Sequence, residues 1–278
     1  MNRADVEPIT SLENPHVKLA RSLLQAAGRR RHRGFLVEGL RLVEAATAQA
    51  RPRLVLHLPS FGQRDPRERS LLRRLRGAGV PVRPVTERVL AHVTATVTPQ
   101  GIVAVMPLPE AAPAATAPGA NGLALILDGV SDPGNAGTLL RSAAGAGASL
   151  VLTSRDTVDV YSPKVVRAGA GAHFYVRLGA DLDWSAIRQA LPAGCAIWLA
   201  DARAPRRYWE VDWTRDCAVI VSNEAHGPSQ PARELATGSV SIPVQHVESL
   251  NAGVAGSILL FEARRQRAIT QQATLSSS

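Results

Sequence analysis

The sequence predicts an α/β protein in two parts, a small N-terminal α/β domain and a larger C-terminal domain built on a parallel sheet. Three observations carry this reading. Short apolar runs alternate with helical segments along the 278 residues, the pattern of strands feeding helices. The stretch Pro107 to Gly122, PLPEAAPAATAPGANG, is dominated by Ala, Pro and Gly and has no secondary-structure period, so it reads as a linker. Charge is also lopsided. Residues 1–106 hold 18 of the 32 Lys+Arg but only 8 of the 23 Asp+Glu, a net of +10, so the remainder is nearly neutral. The expected division is a basic domain over 1–106, a linker over 107–122, a second domain over 123–270 and a disordered tail over 271–278.

Before the linker, Leu12–Ala26 and Leu40–Ala50 have helical patterning and Phe35–Val37 is extended. Leu54–His57 and Val80–Val85 read as strands flanking an arginine-rich helix from about Pro66 to Arg76, and Gly101–Met106 closes the module. After it, Leu123–Leu127, Leu150–Thr153, Ile197–Ala200, Ala218–Val221 and Val240–Ile242 are almost wholly apolar, as in strands buried on both faces of a parallel sheet. Helices are expected near Asn135–Ala146, Lys164–Ala172 and Trp184–Ala190, with a long one from about Ser249 to Arg267.

Composition excludes several classes. With 45% apolar and 20% charged residues, the chain is neither disordered nor collagen-like. No run approaches the roughly 18 apolar residues of a membrane span. The N-terminus lacks a secretory apolar core, so a cytoplasmic protein is expected. Cys195 and Cys217 form no disulfide framework, and neither they nor the seven histidines have metal-ligand spacing. No metal is expected. GxGxxG after a strand, GxxxxGK[ST] and GxSxG are all absent.

The basic clusters Arg29-Arg30-Arg31-His32-Arg33 and Arg67, Arg69, Arg73, Arg74, Arg76 are either solvated surface arginine or the grip on a polyanion, with nucleic acid slightly ahead. Arg29, Arg30, Arg31 and Arg33 are the candidate nucleic-acid contacts. Aromatics are only 4% of the chain and sparse among these arginines, so no base-stacking platform is expected there.

Chemistry in an open α/β sheet sits at the carboxyl ends of the strands, and three loops stand out there. In DGVSDPGNAGTLLR, Asp132 or Ser131 caps a helix that begins at Pro133. Gly134 and Gly137 leave room around its start for a ligand or backbone, and Arg141 falls on the same face as Gly137 and Thr138. In SNEAHGPS, Asn223 and Glu224 emerge directly from a buried strand. In IPVQHVESLNAGVAGSILLFE, Ser249 and Asn251 bracket Leu250 before a helix made slim by Gly253, Ala255 and Gly256.

Together and in this order, these loops resemble the three motifs of the TrmH/SpoU branch of the SPOUT RNA methyltransferases. Asn135-x-Gly137-x-x-x-Arg141 is similar to the first, Asn223-Glu224 with Gly227 to the second, and Ile242-Pro243 with Ser249-Leu250-Asn251 to the third. Asn14-Pro15-His16-Val17-Lys18 and Phe35-Leu36-Val37-Glu38-Gly39 resemble that family's substrate-binding domain. The resemblance implies a C-terminal trefoil knot, S-adenosylmethionine as methyl donor, a homodimer and 2′-O-methylation of RNA, rRNA ahead of tRNA. It implies catalytic roles for Arg141, Asn135, Glu224, Ser249 and Asn251. Ser222, Asn223, Ile242, Leu250 and Ala200 match cofactor-binding positions. The competing expectation from another class is a non-catalytic RNA-binding or ribosome-assembly protein on the same scaffold.

Overall fold

The structure is a computed structural model that describes residues 7–96, 98–109 and 122–276, with side chains as far as residue 272. The chain divides into two compact units, residues 1–108 with 161–167, and residues 109–160 with 168–278. Most of the expected linker, residues 110–121, lies outside the described residues.

The first unit runs α1 (Pro15–Ser22), α2 (Ala26–His32), β1 (Gly34–Glu38), α3 (Leu40–Gln49), β2 (Leu54–His57), α4 (Pro66–Gly77), β3 (Val82–Pro84), α5 (Glu87–Val93) and β4 (Ile102–Pro107). Its sheet has the order β1-β4-β2-β3. β4 is antiparallel to both neighbours and β2 is parallel to β3. The helix expected over Leu12–Ala26 is in fact α1 followed by a turn and α2. Carbonyls left open at the end of α1 need partners, and the Arg29 guanidinium supplies them, donating to Leu23 O at 2.8 Å and Leu24 O at 3.0 Å. Arg29 is only 5% exposed. The turn also needs a glycine, because a Cβ on Gly28 would lie 1.9 Å from Ser22 O.

The second unit contains β5 (Leu123–Asp128), α6 (Pro133–Ala146), β6 (Leu150–Ser154), β7 (Arg177–Leu182), α8 (Trp184–Gln189), β8 (Ala196–Ala200), β9 (Cys217–Ser222), α9 (Gln230–Leu235), β10 (Gly238–Val240) and α10 (Ala252–Ser276). Helix α7 (Pro163–Ala168) falls largely in the segment grouped with the first unit. The six strands are ordered β10-β8-β9-β5-β6-β7 and every pair is parallel. β5 and β9 are buried at every position. The edge strand β7 has no apolar run and mixes buried with partly exposed positions, so its sequence carries no strand signal.

Helix α10 continues through Ser276, past the tail expected from residue 271. TQQATLS contains no Gly or Pro to stop it, and most of these residues tolerate a helix. Among the described residues no helix is long and apolar enough to cross a membrane.

Candidate active site at the strand ends of the parallel sheet

The carboxyl ends of β8, β9 and β10, with the start of α10, surround a cavity of about 840 Å³, within the usual range for small-molecule sites. Ala200, Ser222, Asn223, Ile242 and Leu250, the expected cofactor positions, all line it, together with Glu224 and Ser249. Val221, Val240 and Ala255 add apolar wall, while Asp201, Arg203 and Glu248 make a charged edge. A cavity that sets an apolar wall against polar and charged groups suits a mixed ligand such as S-adenosylmethionine, and these residues fit it. Among the described residues there is no cluster able to hold a metal ion.

Three loops far apart in sequence are tied together beside this cavity. Asp132 caps α6, its side chain accepting from Asn135 N at 2.7 Å. Asn135 then sits in the first turn with its amide turned toward the other loops. Its Nδ2 donates to Glu224 Oε1 at 2.9 Å, and its Oδ1 accepts from Asn251 Nδ2 at 2.9 Å. The same Glu224 oxygen accepts from the Ala252 backbone N–H, the first of α10. Asn251 is the N-cap of that helix, with Oδ1 accepting from Val254 N at 3.2 Å. Ser249, two residues earlier, lies exposed on the cavity wall.

Asn223 fastens the β9 loop to the β5 loop. Its Nδ2 donates to Gly129 O at 2.9 Å and Ser131 Oγ at 3.2 Å, and its Oδ1 accepts from Ala225 N at 2.8 Å. That amide is occupied by protein groups at both ends, which makes Asn223 a loop clamp. Asp128 is a residue that sequence reasoning missed. It is buried at the end of β5, where Oδ2 accepts from Ser222 Oγ at 2.9 Å and Ser229 N at 2.8 Å. An acidic residue closing an all-apolar strand was the available signal. The loop after Ile242-Pro243 turns with His246 at φ 64°, left-handed backbone that His tolerates better than most residues.

The glycines have specific roles. A Cβ on Gly137 would lie 2.3 Å from Ala168 Cβ and 2.9 Å from Gly169 N, so protein backbone fills the space expected for a ligand. Gly253 and Gly256 let α10 approach α6, facing Thr138 and Leu139, and Gly256 also faces Val221.

Arg141 stands apart from this network. It is exposed on α6, is absent from the cavity lining, and makes no hydrogen bond or ion pair among the described residues. In the other unit, Arg29 leaves the RNA-contacting group, since its buried guanidinium holds α1 in place, while Arg30, Arg31 and Arg33 are exposed. Burial disfavours the thiolate form of both cysteines, raising Cys195 to about 12, far above the range of reactive cysteines. Burial likewise lowers His57 and His173, which favours their neutral forms.

A parallel sheet with a ligand-sized cavity at its strand ends, and beside it polar loops from three motifs joined by hydrogen bonds, defines an α/β enzyme domain of the SPOUT methyltransferase type. The chain belongs to the SpoU rRNA Methylase family, which residues 122–261 match. Residues 14–104 match the MRM3-like substrate binding domain. The chain is 34% identical over 273 residues to an uncharacterized tRNA/rRNA methyltransferase of Synechocystis, covering 95% of this chain and 96% of the relative. It is 29% identical to the 23S rRNA (guanosine(2553)-2′-O)-methyltransferase of Bacillus subtilis, covering 93% and 100%. The AdoMet-bound rRNA methyltransferase of Sinorhizobium meliloti superposes with a TM-score of 0.82 at 29% identity, covering 94% and 98%. The chain also spans 54% of the length of mouse mitochondrial rRNA methyltransferase 3.

Proposed function

We propose that this protein transfers a methyl group from S-adenosylmethionine to a ribose 2′-hydroxyl of rRNA. The observation that carries the reading is the convergence of Asn135, Glu224 and Asn251 on one hydrogen-bonded node beside the cavity. Ala200, Ser222, Ile242 and Leu250 would hold the donor. When bound, the donor supplies a sulfonium methyl that is already electrophilic. The chain's own task is to position the hydroxyl, to let its proton pass to water as the oxygen takes the methyl, and to stabilise charge developing on that oxygen.

Arg141 is assigned to that oxygen and its neighbouring phosphate, because a guanidinium works by charge and forked hydrogen bonds. Asn135 and Glu224 fix the start of the helix that carries Arg141. Ser249 and Asn251 hold the closing loop. Arg30, Arg31 and Arg33 are assigned to RNA phosphates.

A homodimer and a C-terminal trefoil knot belong to the same reading. In support of the dimer, Val254 and Phe261 lie two turns apart on α10 and are 47% and 51% exposed. The Phe261 ring lies 3.4 Å from where a Gly145 Cβ would stand, and Gly145 is one turn from Arg141 on α6. Closing that apolar face against a second copy would bring Arg141 to the interface.

The test is incubation with radiolabelled S-adenosylmethionine and unmodified total RNA, followed by separation of large rRNA, small rRNA and tRNA. Label in rRNA that is lost with Arg141→Ala is the expected result. Label in tRNA alone would redirect the substrate. Absence of both label and donor binding would leave an RNA-binding scaffold protein.

A further inference from the structure

Aromatic residues are 4% of this sequence, yet three of its four tryptophans gather in one place. Trp198 on β8 lies 6.3 Å from Trp213, ring centre to ring centre. The Trp213 indole Nε1 donates to Tyr208 O at 2.7 Å, and the Tyr208 ring meets that of Trp209 edge-on at 5.0 Å. Trp213 is fully buried and Trp198 half-buried, so both serve as structural supports. Trp209 is 51% exposed, an unusual position for so large an apolar surface.

A loose loop does not account for that exposure. Tyr208 N donates to Ser241 O at 3.0 Å, and Ser241 N donates to Arg206 O at 2.9 Å. Arg207 N donates to Glu210 Oε2 at 2.8 Å, and its guanidinium donates to Ser241 Oγ at 3.1 Å. The Arg206 guanidinium lies 5.3 Å above the Trp198 ring. The loop is pinned on both sides of Trp209, with Arg206 and Arg207 exposed beside it. It also continues directly from the wall of the cavity. Ala200 to Arg203 line that cavity, and so does Ile242, next to the Ser241 that pairs with Arg207.

We infer that Trp209 is a stacking platform for an unpaired base of the substrate RNA, with Arg206 and Arg207 beside it to take the flanking phosphates. A fixed indole face with guanidiniums at its edge suits an unpaired nucleotide, which offers a π-face and a phosphate together. A duplex offers its phosphates but keeps its bases stacked away from such a face. The inference rests on the RNA-methyltransferase reading and deepens it by placing a base-recognition element outside the three motifs.

The test compares the full-length protein with Trp209→Ala and Trp209→Phe. The probes are a fluorescent single-stranded RNA 12-mer, the same sequence as a duplex, and S-adenosylmethionine. Trp209→Ala should weaken single-strand binding by about 5- to 100-fold, with duplex and donor binding unchanged. Trp209→Phe should restore most of the loss. In the methylation assay the change should appear in KM for RNA more than in kcat. Equal losses on duplex and single strand, or no loss on either, would overturn the inference. So would a Trp209→Ala protein that sediments as a smaller species than the parent, which would make Trp209 a contact between copies. Failure of the parent protein to bind either RNA or donor would instead overturn the function on which the inference rests.

Discussion

Arg29 to Arg33 are contiguous in sequence and come apart in space, whereas Asn135, Glu224 and Asn251 are separated by as many as 116 residues and come together. The difference lies in the geometry that carries each set. A helix turns about 100° per residue, so a run of like residues is dealt to different faces, and one of them, Arg29, was taken up as a cap for its neighbour. In a parallel sheet all strands point the same way, so every strand-end loop opens on one edge. Contiguity along a helix is weak evidence of shared function, and shared position at strand ends is much stronger.

The comparison is broken most severely at Arg141. Its substitution by Ala should lower methyl transfer by about 10²- to 10³-fold. Thermal unfolding and donor binding should not change, because the side chain has no protein partner to lose among the described residues. A methylation rate within threefold of the parent would remove Arg141 from catalysis.

The next largest effect is expected where the loops depend on close helix packing. Gly137→Ala forces a methyl against Ala168 and the Gly169 backbone, costing about 1–3 kcal/mol in denaturant unfolding. A neutral result would mean that the Ala168–Gly169 turn yields freely.

An effect of comparable size separates Arg29 from its neighbours. Arg29→Ala should cost about 1.5–3 kcal/mol of stability, since it removes a charged donor from two carbonyls. It should leave the salt dependence of RNA binding unaltered. The triple change of Arg30, Arg31 and Arg33 to Ala should do the reverse, altering the salt dependence of RNA binding more than the unfolding midpoint. The slope of log K against log salt should then become shallower by about 2 to 3. Identical behaviour of the two variants would cancel the distinction.

Most of the architecture was legible because it rests on burial. β5 and β9 are wholly buried and apolar up to their last residues, Asp128 and Ser222, and the sequence marks them within a residue. Elements that burial does not dictate were illegible. Edge strand β7 is one, and short helices α5 and α9, which depend on local caps at Thr86 and Ser229, are others. In the site, the sequence pointed to the three strand-end loops and to five residues that line the cavity, Ala200, Ser222, Asn223, Ile242 and Leu250. The buried carboxylate of Asp128 and the indole of Trp209 were not. The role of Asp128 comes from partners 94 and 101 residues away, and that of Trp209 from a pinned loop without periodicity.

The node at Glu224 has a consequence for how the protein is made. It joins a helix beginning at residue 133, a loop at residue 224 and a helix beginning at residue 252, so no early portion of a growing chain can assemble it. Domains acquire structure progressively as synthesis proceeds from the N-terminus. The basic unit is then complete while the strand-end node still lacks its last partner. Binding of substrate and readiness to act become separate events in the life of each molecule, and the second waits until Asn251 and the helix it caps have been made.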